Sequence, residues 1–169
     1  MRAAHRYLAV LLATLALAIA LVPDAHSEVR WRTWDDGLAA AKKSKRRVIV
    51  DVYTNWCGWC RRMDADVYGR ADIAAYLAEH FVTVKLNAES NDTAHREDRP
   101  MTCRSLAASY RVNSYSTTIF LDASGGHLAT LPGYVPPEKF LLLLRWMGEG
   151  AMDAGVKWED WVKSQEGAK

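Results

Sequence analysis

From Trp31 onward, stretches with helical spacing of apolar positions alternate with short, nearly continuous apolar runs. Thr33 followed by Asp36 resembles a capping box without its usual Glu, and Trp34, Leu38 and Ala41 recur at helical spacing behind it, predicting a helix from about Thr33 to Lys43. Arg47 to Thr54 is β-branched and almost continuously apolar, the pattern of a central strand buried on both faces, with Asp51 as the exception. A second helix is predicted to start at Cys57 and run toward Val67, and a third, short piece spans about Asp72 to Glu79. Phe81 to Leu86 gives the next strand. Asn87 to Arg99 is polar, charged and aperiodic, and reads as a loop. Cys103, Leu106, Ala107 and Tyr110 lie at i, i+3, i+4 and i+7, one buried face of a helix. Thr117 to Asp122 and His127 to Leu131 read as strands of a hairpin joined by Ala123-Ser124-Gly125-Gly126. Pro136-Pro137-Glu138 opens a helix through Leu141, Leu144, Arg145 and Met147, and a last amphipathic piece carries Trp158, Trp161 and Val162. This order predicts an α/β fold, a mixed central sheet flanked by helices on both faces.

The N-terminus changes the picture of where the domain begins. Arg2, His5 and Arg6 precede an apolar stretch from Tyr7 to Val22, and Ala25-His26-Ser27 supplies small residues at the positions a signal peptidase reads. Residues 1–27 are therefore expected to be a secretory signal peptide, the stretch being short for a membrane span. Residues 28–148 form one domain of ordinary size and 149–169 a C-terminal helical extension. Removing Arg2, Arg6 and Asp24 lowers the formal charge of +2 by one, so no bulk charge points to nucleic acid. The run Lys42, Lys43, Lys45, Arg46 and Arg47 reads as a solvated helix end, where cations suit the dipole.

Three cysteines in an exported chain are too few for a disulfide-stapled scaffold, and one pair plus one spare fits a redox site. In Trp56-Cys57-Gly58-Trp59-Cys60, two cysteines with two residues between them sit where a strand turns into a helix. Both sulfurs then lie on the first helical turn, close enough for a reversible disulfide. Free backbone N–H groups and the positive dipole end favour a thiolate there, which makes Cys57 the nucleophile and Cys60, one turn deeper, the residue that resolves the mixed disulfide. A structural zinc site needs four ligands, and only Cys103 and His95 remain to complete one, at irregular spacing, so no metal and no cofactor is predicted. Cys103 reads as a small buried residue on its apolar helix face. Trp56 and Trp59 are expected to form an apolar collar around the dithiol, with Gly58 between them, while Trp34, Trp146, Trp158 and Trp161 are core or helix-packing residues. Asp51 in a buried strand is expected to have a raised pKa, unless it occupies an edge position or pairs with Lys85.

From Trp31 to Gly148 the chain resembles the thioredoxin superfamily. Trp56 before the first cysteine, Asp51 six positions before Cys57, Lys85 in the following strand, the hairpin Thr117 to Leu131 and Gly133 after it carry the likeness beyond the dithiol. Ala39-Ala40-Ala41-Lys42, Met63-Asp64 and Asp66-Val67-Tyr68 are most similar to the exported thioredoxin-related proteins of Gram-negative bacteria. The resemblance implies a thioredoxin fold and a periplasmic thiol-disulfide oxidoreductase acting on disulfides of exported proteins. It assigns Asp51 the role of proton acceptor for Cys60. Strong oxidants of this kind carry a large helical insertion after the dithiol, and this chain has only a short helix and a polar loop there. That favours a reductase or electron relay fed by a membrane thiol donor, acting as a monomer, over an oxidase or isomerase. The departure is Ser116, which falls with its neighbours Tyr115 and Thr117 on the loop where relatives carry a cis-proline facing the dithiol. A cis bond before a non-proline residue costs about 3 to 4 kcal/mol, so the Tyr115–Ser116 bond is expected to be trans unless the site forces it. Ser116 is expected to donate a hydrogen bond to a cysteine sulfur or to permit metal binding, the latter leaving a thiol- or metal-binding module as the alternative to an enzyme.

Overall fold

The computed structural model describes residues 28–167, so the expected signal peptide at 1–27 lies outside the described residues. The first helix, α1, spans Trp34–Ser44. Thr33 Oγ1 accepts the Asp36 N–H at 3.4 Å and donates to the Asp36 carboxylate at 2.7 Å, so the pair caps the helix without a Glu. Strand β1, Arg47–Tyr53, follows, with its five inner residues buried. The dithiol helix α2, Gly58–Met63, is shorter than predicted, because Asp64–Tyr68 forms a π-helical turn in which the Gly69 N–H reaches the Asp64 carbonyl at 2.8 Å. The wider turn lets consecutive Val67 and Tyr68 both enter the core while Asp64 meets Lys85. Helix α3, Ala71–His80, then leads into β2, Phe81–Asn87.

The stretch read as a loop contains a hairpin, β3 (Thr93–Arg96) and β4 (Arg99–Thr102). Its turn residues Glu97 and Asp98 both have positive φ, 52° and 62°, the conformation of a two-residue hairpin turn usually marked by Asn-Gly. Without that marker, and with short polar strands, nothing in the pattern betrays it. Trp34 Nε1 donates to the His95 carbonyl at 2.8 Å and the His95 N–H donates to Asp35 at 2.9 Å, which pins the hairpin onto α1. Helix α4 (Cys103–Ser109), strands β5 (Thr117–Leu121) and β6 (His127–Pro132), helix α5 (Pro137–Gly148) and helix α6 (Trp158–Glu166) complete the chain as the periodicity predicts.

The main sheet has the order β2-β1-β5-β6, with β1 parallel to β2 and antiparallel to β5, and β5 antiparallel to β6. Its two faces bury separate layers. Val48, Val50, Val52, Val82, Val84, Leu86, Ile119 and Leu121 face α1 and α4, whereas Ile49, Phe81 and Phe120 pack on the side of α3 and α5. The two-residue side-chain period puts Asp51 on the Ile49 face, and the register sets it opposite Lys85 on one side and Thr118 on the other. A polar patch thus lies in an apolar layer at the end of β1 that leads to the dithiol. In α1, a Cβ at Gly37 would overlap Val84 Cγ2, so glycine there allows the helix to lie close on β2.

Beyond Gly148, Trp158 stands edge-on to Trp146 at 5.9 Å between ring centroids, and Trp146 Nε1 donates to the Val156 carbonyl at 2.9 Å. Arg47 bonds the Met147 carbonyl and the Asp153 carboxylate, which ties this extension to the start of β1. Among the described residues no helix is long and apolar enough to cross a membrane.

Candidate active site

Cys57 and Cys60 are joined by a disulfide with their Cα atoms 5.3 Å apart. Cys57 is the N-cap of α2: its backbone is extended, its N–H donates to the Thr54 carbonyl at 3.2 Å, and its Sγ accepts the Cys60 N–H at 3.0 Å. A sulfur in the N-cap position takes the place of a Ser or Asp oxygen, so the free N–H groups of the first turn favour negative charge on it. Depth does not distinguish the two cysteines, both only 3% exposed; the helix-cap hydrogen bond does. The two tryptophans next to the pair in the chain are among the most exposed large apolar residues described, 64% for Trp56 and 54% for Trp59. Trp56 is held edge-on to Tyr115 and donates to Glu89 at 2.9 Å. Trp59 lies 5.7 Å from the Tyr134 ring, with the Arg62 guanidinium over both.

Asp51 is fully buried in a strand with neighbours on both sides, so it occupies no edge position, yet it does pair with Lys85, at 3.5 Å from Oδ2. Burial pushes its carboxyl up to about 6; Lys85 and the Ser116 hydroxyl pull it down, and the nearby Asp64 carboxylate pushes it up. Lys85 is shared, because it also ion-pairs with Asp64. Below them Tyr68 OH lies 3.5 Å from Thr118 Oγ1, and burial, followed by the Asp51 charge, raises its phenol well above the ordinary range. Neither Asp64 nor Tyr68 stood out in the sequence as a site residue. Asp64 is four residues after Cys60, hence on the same helical face, which is the one local sign of its place.

Ser116 reaches the site differently from expectation. The Tyr115–Ser116 peptide bond is cis, not trans. The intrinsic preference for trans gives way to the family register, and in the fold Ser116 is fully buried and its carbonyl accepts the Gly133 N–H at 2.7 Å. Its hydroxyl donates to Asp51 Oδ1 at 3.3 Å and not to a cysteine sulfur. Thr117, also buried, donates to the Ser114 carbonyl at 2.7 Å.

A family model of thioredoxin-like domains matches residues 34–148, most of the described chain. The chain belongs to the thioredoxin-like domain family. It is 24% identical over 131 residues to the disulfide bond reductase DsbH of Chlamydia pneumoniae, across 73% of this chain and 78% of that protein. It is 31% identical over 112 residues to the thiol:disulfide interchange protein DsbD of Ralstonia nicotianae, across 66% of this chain but only 17% of the much longer DsbD. A thioredoxin from Thermus thermophilus superposes with a TM-score of 0.61 at 25% identity, over 76% of this chain and 93% of that one.

Within this thioredoxin-like domain Cys103 stands apart from the disulfide. It is free and half-buried, not fully buried, because it is the first residue of α4 and lies beside a cavity of about 270 Å³ that Tyr53, Lys85 and Asp92 also line. Burial, with Asp92 and Asp35 nearby, pushes its thiol up, away from thiolate character. Among the described residues no group of three or more His, Cys, Asp or Glu side chains is gathered as a metal site.

Proposed function

We propose that this chain is a periplasmic thiol-disulfide oxidoreductase that reduces, or relays electrons to, disulfides of exported proteins. The observation that carries the reading is the Cys57–Cys60 disulfide at the start of α2, the helix that follows the strand carrying the buried Asp51 carboxylate. The names of DsbH and DsbD support the chemistry, and that of DsbH supports the reductive direction. In the reduced protein the Cys57 thiolate attacks a substrate disulfide, forms a mixed disulfide and expels one substrate thiolate, which takes up a proton. Asp51 accepts the Cys60 proton. The resulting thiolate attacks Cys57 Sγ, breaks the mixed disulfide and expels the second substrate sulfur as a thiolate, which takes up a proton, leaving the oxidised pair described above. Two electrons from a thiol donor, in the membrane or soluble, restore the dithiol. Trp56, Trp59 and Tyr115 form the surface that meets the substrate, the buried Ser116 and Thr117 shape the loop behind it, and Lys85 tunes Asp51.

Reduction of insulin by dithiothreitol tests this, read as turbidity from the precipitating chain. Catalytic amounts of the protein are expected to shorten the lag several-fold, and Cys57→Ser to restore the uncatalysed lag. Equal lags for the two proteins would contradict the reading.

A further inference from the structure

We infer that Trp31 is a positioning residue for the proton site: its indole face holds the Lys85 ammonium beside Asp51. The inference rests on the assignment of Asp51 as proton acceptor only for its functional meaning, since the geometry stands alone. Residues 29–32 run along the free edge of β2, where the Arg32 N–H donates to the Thr83 carbonyl at 3.0 Å and the Lys85 N–H to the Arg32 carbonyl at 3.1 Å. That bridge turns Arg32 toward Val84, and the alternation of side chains turns Trp31 to the opposite face, where Lys85 and Asp51 lie. There the Lys85 ammonium sits 4.9 Å from the Trp31 ring centroid and 5.4 Å from that of Tyr53. The same indole meets Tyr68 edge-to-face at 4.9 Å, so Trp31 touches two walls of the proton site at once. Trp31 precedes the segment matched to the family, which begins at residue 34.

Among the described residues, Asp51 on β1 and Asp64 on the π turn compete for Lys85, with Tyr53 beside it, Tyr68 beneath, and Asp35, Asp92 and Cys103 around the adjoining cavity. A cation over an aromatic face is attracted by the ring quadrupole, most strongly by Trp and when partly desolvated. Lys85, 21% exposed, meets that condition. Without the indole, Lys85 is free to follow Asp64 outward, and Asp51 loses the cation that favours its charged form, which raises the Asp51 carboxyl further.

The test is the Asp51 carboxyl titration, followed by carbon NMR in the oxidised full chain, which needs no turnover. Trp31→Leu is expected to raise its midpoint from about 6 by on the order of half to one pH unit. Trp31→Phe, which keeps a ring, is expected to recover most of the wild-type value and guards against a mere packing defect. In a Lys85→Gln background Trp31→Leu is expected to add no further shift. An unchanged midpoint in Trp31→Leu, or the same increment with Lys85 absent, would overturn the inference. Failure of the functional assignment is a separate result: resolution kinetics would then keep their pH dependence in Asp51→Asn while the NMR shifts still appeared.

Discussion

Replacing Cys60 with Ala is expected to convert a turnover enzyme into a trap, with the substrate held on Cys57 as a stable mixed disulfide. In the wild type Cys60, the proposed resolving residue, lies in the first turn of α2, its Cα 5.3 Å from that of Cys57. Well-oriented intramolecular reactions reach effective molarities of about 10⁵ M and more. External thiol at millimolar concentration cannot match that, so release is expected to slow at least ~10³-fold. Non-reducing electrophoresis and mass spectrometry of the reaction with a disulfide-bonded substrate read the result. The expected species is one adduct, mapped to Cys57. If Cys57→Ala accumulated the adduct and Cys60→Ala did not, the roles given by the helix-cap hydrogen bond would be reversed.

The second large effect is one of stability. The ordinary Asp value of 3.8 rises to about 6 in the fold, with burial as the main cause. The native state therefore binds this proton more tightly than the unfolded chain, and between those two values stability falls as pH rises. Above about 6 the ionised Asp51 imposes its whole cost, about 3 kcal/mol at 1.36 kcal/mol per unit; below the unfolded value the cost is absent. Asp51→Asn is expected to stabilise the oxidised protein by that order at neutral pH, since a neutral amide of the same shape replaces a buried anion. Urea unfolding at pH 7 and at pH 3.5 measures it, with the gain present in the first condition and gone in the second. A variant less stable than wild type at pH 7 would mean that the Lys85 and Ser116 contacts outweigh burial. The same substitution is expected to slow resolution and to remove its inflection near pH 6, so stability and turnover move in opposite directions. That opposition is the signature of a buried group kept for chemistry.

The parts of this molecule that were legible in its sequence are those fixed by local spacing. The dithiol could be placed at a strand-to-helix junction because the β-branched run stops three residues before Cys57, and the cap at Thr33 follows from one hydroxyl and one carboxylate three residues apart. The β5–β6 hairpin was readable from its two glycines, of which Gly125 takes φ 93°. Asp51 is marked by being the single carboxylate in an otherwise apolar strand interior. What remained hidden depends on tertiary contact. The β3–β4 hairpin turns through Glu97 and Asp98, residues that carry no turn signal, and it is held by its docking on α1. The π turn shows only as one extra residue between core positions. Asp64 and Tyr68 from the π turn and Trp31 from the edge of β2 come together around Lys85. Exposure of Trp56 and Trp59 runs against the usual fate of large apolar side chains, and apolar spacing along the chain does not show it.

The most direct measurement of the central claim is the equilibrium between the Cys57–Cys60 disulfide and the dithiol in glutathione or dithiothreitol buffers, followed by Trp fluorescence and thiol counting. A reductase of exported proteins predicts a single reversible two-electron transition near the thioredoxin value of about −270 mV. A midpoint near −120 mV, the value of a strong oxidant, or a pair that does not titrate at all, would contradict it.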